Sequence, residues 1–98
     1  MTHDLKIERQ FADAVHEGRK TFEVRRNDRG FNAGDRVRFN VVEQGAVFAF
    51  ACGGHPLNGA VYRITYVLSG WGLEDGYVAF SIEPDREQPA GVTDNADE

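Results

Sequence analysis

The chain contains a single cysteine, Cys52, so no disulfide can form within it and a reducing compartment suits it. Histidine is also scarce. Cys52 and His55 have a Cys-x-x-His spacing, but with only His3 and His16 besides, a four-ligand zinc site is not expected, and neither is any other metal or cofactor. No apolar run approaches the roughly 20 residues needed to span a membrane. The first residues, Met1-Thr2-His3-Asp4, lack the basic and apolar segments of a signal peptide. The expectation is a cytoplasmic protein with no membrane association.

Positive charge is in deficit overall, since 11 Lys and Arg face 16 Asp and Glu for a formal charge of −5. The last sixteen residues account for it. Glu83, Asp85, Glu87, Asp94, Asp97 and Glu98 oppose only Arg86 there, which leaves residues 1 to 82 neutral. Pro84, Pro89 and Gly91, with almost no large apolar side chain, make 83–98 an expected disordered acidic tail, and 1–82 a single domain. Within that neutral body the bases cluster. Arg19, Lys20, Arg25, Arg26, Arg29, Arg36 and Arg38 face only Glu23, Asp28 and Asp35, a local balance of +4. Local charge of this kind is the better guide to partners, and it suits a polyanion.

Periodicity predicts mostly strands. Leu5 to Ile7 is a short alternation, and Phe11, Ala12, Ala14 and Val15 fall at helical spacing, predicting a helix over Glu8 to Glu17 that ends at Gly18. Thr21 to Arg26 then alternates with a period of two, which places Phe22 and Val24 on the core face and Thr21, Glu23 and Arg25 on the other. Asn27-Asp28-Arg29-Gly30 and Asn32-Ala33-Gly34-Asp35 bracket Phe31 as a single apolar loop anchor, with Asp28 a candidate to cap its own turn. Arg36 to Val42 alternates with Val37, Phe39 and Val41 inward. Ala46 to Cys52 is a continuous small apolar run that reads either as a buried strand or as an insertion. Ala60 to Leu68 is the clearest strand by composition, and Tyr77 to Ile82 is the last. The fold class is therefore mostly β (α+β), with about five or six strands and one or two short helices, and a small barrel is the expected architecture.

The chemistry concentrates in Gly18-Arg19-Lys20-Thr21-Phe22-Glu23-Val24-Arg25. An ammonium and a guanidinium supply fixed donors to phosphate or carbonyl oxygens, and a carboxylate between them holds both in place. In a regular strand Lys20 is in phase with Phe22 and Val24, not with Glu23 and Arg25, so the three polar groups meet only if the chain turns or bulges at Lys20. Otherwise they are exposed cross-strand ion pairs that contribute about 0 to 1 kcal/mol. Trp71, in a glycine-rich loop from Ser69 to Gly76, either stacks on a base or plugs one end of the barrel, and the plug is the preferred reading.

The spacing Gly-x-Lys-x-x-Glu-x-Arg at Gly18, Lys20, Glu23 and Arg25 resembles the signature of the ASCH family, small PUA-like β-barrels believed to bind RNA. His3-Asp4-Leu5-Lys6-Ile7, the run Phe22 to Arg29, Gly34-Asp35, Ile64 to Leu68 and Gly76-Tyr77-Val78 together resemble the DUF3850 group of that superfamily. That group usually carries a Tyr-Thr-Gly-type turn where this chain has His55-Pro56-Leu57-Asn58-Gly59. The resemblance implies an RNA- or nucleotide-binding cleft lined by Lys20, Glu23 and Arg25, with Arg26, Asn27, Arg29, Lys6, His3 and Trp71 as further ligand-binding candidates. Two alternatives stand beside it. One is a hydrolase of a modified nucleoside amide or RNA phosphodiester using Lys20 and Glu23, although Glu23 occupies the position where related amidohydrolases carry a threonine. The other is an interaction protein whose acidic tail shields the basic patch.

Overall fold

The computed structural model describes residues 1–45 and 47–85. In chain order these form β1 (Thr2–Glu8), α1 (Arg9–His16), β2 (Phe22–Arg26), β3 (Arg36–Gln44), β4 (Ala49–Ala51), β5 (Val61–Ser69) and β6 (Tyr77–Pro84). All six strands belong to one sheet with the order β1-β3-β5-β6-β2, and β4 pairs with β3 to one side. β1 and β3 are parallel, while β3-β5, β5-β6 and β6-β2 are antiparallel. The protein is mostly β, as its periodicity predicts, but the sheet does not close into a barrel. β1 and β2 stand at its two ends without a hydrogen-bonded ladder between them.

The inward face of β1 and β3 follows directly from alternation. His3, Leu5 and Ile7 stand opposite Val37, Phe39 and Val41 in the parallel register, and all six are buried. Ala12 and Val15 of α1, Leu57, Ile64, and Val78, Phe80 and Ile82 of β6 complete the core. Phe31 anchors its loop as expected, with its ring centroid 4.9 Å from that of Phe80 and 4.8 Å from that of His3. The β5-β6 register shifts between Ile64 and Tyr66, so the strand changes phase at Thr65, and Tyr66 points to solvent while Val67 packs on the core.

Three expectations need correction. β2 presents the opposite face from the one its alternation suggests: Glu23 is 4 % exposed, whereas Phe22 and Val24 are each 49 % exposed. The cause is register, because Glu23 and Arg25 stand opposite Phe80 and Val78 on the core face of β6, while Phe22 and Val24 stand opposite Ser81 and Ala79. The apolar run after Gln44 is not a buried strand. Ala49–Ala51 form the short exposed β4, and Val47, Phe48 and Phe50 face solvent; Ala46 lies outside the described residues. The folded body also extends past residue 82. β6 runs to Pro84, and Asp85 is buried against the Arg36 guanidinium. The remainder of the predicted tail, 86–98, lies outside the described residues. Among the described residues no helix is long and apolar enough to cross a membrane.

Candidate functional site

The site begins at the exit of α1. The amide of Gly18 donates to Val15 O at 3.1 Å and that of Arg19 to Ala14 O at 2.9 Å, the paired bonds of a Schellman stop, and Gly18 takes the left-handed conformation (φ 80°) that this stop requires. The Lys20 amide also bonds to Ala14 O at 3.1 Å. Lys20 is thereby held outside the regular strand, which begins at Phe22. This is the irregularity that the spacing demands.

The turn lets three charged groups converge. The Lys20 ammonium pairs with Glu23 Oε2 and donates to Phe22 O at 2.6 Å. Arg25 donates from Nε to Glu23 Oε1 at 3.0 Å, and its Nη2 lies 2.9 Å from the same oxygen. Both carboxylate oxygens of Glu23 are therefore held by cations, which is what makes burial of this carboxylate tolerable on the core face of β2. The same Arg25 Nη2 donates to Lys6 O of β1 at 2.7 Å. The guanidinium thus crosses the gap between the two ends of the sheet.

That gap is a cavity of about 400 Å³. β1 contributes Lys6, Ile7 and Glu8, α1 contributes Phe11, and the opposite wall is Lys20 with Phe22, Glu23, Val24 and Arg25. The Lys20 ammonium sits 4.9 Å from the Phe22 ring centroid and 5.7 Å from that of Phe11, so two half-exposed aromatic rings flank a fixed cation. Phe22 and Val24 read in the sequence as core residues. Their alternation is the right signal for a strand but assigns the wrong face, and both border the opening, as does Phe11 of α1.

The other candidates are distributed differently. Lys6 lines the cavity. Arg29 donates to Asp4 O of β1 at 2.5 Å, a second crossing of the gap two residues further along β1. Arg26 packs its guanidinium 5.1 Å from the Tyr77 ring centroid. Asn27 closes the loop instead of entering the cavity, since its Oδ1 accepts the Phe31 amide at 3.0 Å; Asn27, not Asp28, caps this turn. His3 is buried and bonded through Nε2 to Asp35 Oδ2 at 2.9 Å, which makes it a core residue and not a cleft residue. Trp71 is 90 % exposed in the β5-β6 loop, so it plugs nothing, and it is not among the residues lining the cavity.

A separate hollow of about 410 Å³ lies between α1 and the 52–56 loop, where the Cys-x-x-His spacing falls. His55 accepts the Leu57 amide on Nδ1 at 3.0 Å and meets Asp13 Oδ1 through Nε2 at 2.7 Å, so both ring nitrogens are engaged. Its hydrogen bond holds the Asp13 carboxyl below the usual carboxylate range, a sign of a loop tied to the helix. No group of three or more His, Cys, Asp or Glu side chains converges to hold a metal among the described residues.

No curated protein matches the chain. The model of the family described as "Domain of unknown function (DUF3850)" matches residues 2–82, which take in β1 to β5, all but the last two residues of β6, and the whole Lys20-Glu23-Arg25 seam. Over four-fifths of its length the chain therefore belongs to the DUF3850 family.

Proposed function

We propose that this protein is an RNA- or nucleotide-binding module of the ASCH/PUA-like type, and that the gap between β1 and β2 receives a nucleobase. One observation carries the reading: an unclosed sheet leaves a cavity of about 400 Å³ in which two partly exposed phenylalanines flank the Lys20-Glu23-Arg25 triad. A base stacked on an aromatic side chain contributes roughly 1 to 3 kcal/mol. The rings supply affinity for any base. The triad supplies direction, because Lys20 and Arg25 are pinned by Glu23 and lose little freedom when they engage a ligand oxygen. Glu23, with a cation on each oxygen, serves to position those donors.

Titration of a fluorescent single-stranded RNA oligonucleotide across a salt series tests this reading. If three to five phosphates are neutralised, affinity falls with a log-log slope of about −2 to −4. Binding that ignores salt, or that survives Lys20→Ala combined with Arg25→Ala, overturns the proposal.

A further inference from the structure

Arg25 borders a second, smaller cavity of about 220 Å³ on the far side of its own guanidinium, lined by Leu5, Arg25, Arg26, Asp28, Arg29 and Phe31. Because the same side chain lines the aromatic cavity and reaches Lys6 O across the gap, it is a partition. The seam is one slot with two unlike halves.

The halves differ in chemistry. On one side of Arg25 are aromatic and aliphatic walls with a carboxylate already neutralised by two cations. On the other the lining includes Arg26, Arg29 and the shared Arg25, which is already paired with Glu23, together with Asp28, whose Oδ1 lies 3.9 Å from Arg29 Nε. Asp4 O engages Nη1 of Arg29, and the rest of that fork has no hydrogen-bonded partner among the described residues. Arg26 lies over the Tyr77 ring, with Nη2 3.5 Å from the Tyr77 hydroxyl, and forms no salt bridge among the described residues. Planar guanidinium forks that outnumber carboxylates, on a scaffold already fixed by a backbone carbonyl and an aromatic ring, match a compact dianion.

We infer that this second compartment is the phosphate subsite of the ligand whose base occupies the aromatic compartment, so that the protein recognises a phosphorylated nucleotide, free or at the end of an RNA strand, and not a nucleoside. The inference rests on the base-binding reading above. Geometry supports the pairing. The Arg25 and Arg29 crossings land on Lys6 and Asp4, two residues apart on β1, a separation of roughly 7 Å at the rise of a strand. A base beside Glu8 and Lys20 and a phosphate beside Arg29 would therefore lie along a single groove, with the sugar passing Arg25.

Calorimetric titration of the full chain with the four ribonucleosides, their 5′- and 3′-monophosphates and inorganic phosphate distinguishes the outcomes. The expected result is that at least one monophosphate binds roughly tenfold or more tightly than its nucleoside. Arg26→Gln with Arg29→Gln should remove that advantage, and Phe22→Ala should weaken both ligands together. Arg26→Gln alone, which leaves both crossings of the seam in place, should reduce the advantage with no change in the melting temperature. Equal affinity for nucleoside and monophosphate, or an advantage that survives the double substitution, overturns the phosphate subsite and leaves the base-binding reading intact. Tight binding of inorganic phosphate with no response to Phe22→Ala removes the base-binding reading instead.

Discussion

Glu23 shows how a charged residue can occupy a core-facing position of a small protein. Its carboxylate stands opposite Phe80 in the β6 register and is nearly inaccessible, yet Lys20 and Arg25 each hold one of its oxygens. Replacing it with Gln keeps the shape but turns one acceptor into a donor facing a cation. Glu23→Gln is therefore expected to destabilise the fold by about 1 to 3 kcal/mol, read from urea unfolding, and to weaken nucleotide binding in parallel. Unchanged stability would mean that the triad is an assembly of surface pairs. Trp71 gives the opposite expectation. It is 90 % exposed and has a left-handed backbone (φ 53°), so it contributes neither burial nor a wall of the cavity. Trp71→Ala should leave stability within about 0.5 kcal/mol of the parent and leave RNA affinity unchanged; a clear loss of affinity would restore it as a stacking residue.

At the scale of elements, most of what alternation could reveal was legible and most of what register decides was not. Val37, Phe39 and Val41 declare the inner face of β3 because that strand lies between β1 and β5 and buries one whole face. β2 shows a similar pattern and reads the wrong way round, since its partner β6 lies some 55 residues away in the chain and that pairing chooses the face. The junction at Lys20 was legible as a requirement: spacing demanded an irregularity, and the Schellman stop at Gly18 supplies it. His3 was misread for a similar reason, because its acceptor, Asp35, is 32 residues distant and only the parallel β1-β3 pairing brings the two together. That contact also sets a pH dependence. Burial pushes the Asp35 carboxyl up, but the His3 bond and the Asn32 amide at 3.1 Å more than offset it and hold it below its usual value. A carboxyl depressed on folding stabilises above its unfolded value of about 3.9, and that contribution is lost as pH falls through the lower folded value. Asp35→Asn is accordingly expected to cost about 1 to 3 kcal/mol at pH 7, with the gap to the parent closing below about pH 3.9. Urea unfolding across a pH series from 7 downward checks it, and a gap that stays constant as pH falls well below about 3.9 would refute the assignment.

At the scale of the whole molecule, the failure of the sheet to close is what creates the site. Following the pairings from end to end, β1 and β2 run antiparallel to each other, the arrangement that would let them zip directly. They are instead spanned by two side chains: Arg25 reaches Lys6 O and Arg29 reaches Asp4 O, each taking a carbonyl that a closing strand would have used. Side-chain bridges of this kind satisfy an edge while leaving room between the strands. The consequence is a difference in local stability around the sheet. β5 and β6 are laddered over most of their length and carry Ile64, Phe80 and Ile82 of the core, whereas β1 and β2 each have a ladder on one side alone. Arg25→Gln removes one bridge and leaves every backbone ladder intact. Amide hydrogen exchange is therefore expected to accelerate most in β2 and in the β1 segment around Lys6, and less in the β5-β6 pair. A uniform acceleration across all strands would show that Arg25 acts on global stability and not as a local bridge, and no change anywhere would show that β1 and β2 hold their spacing without it.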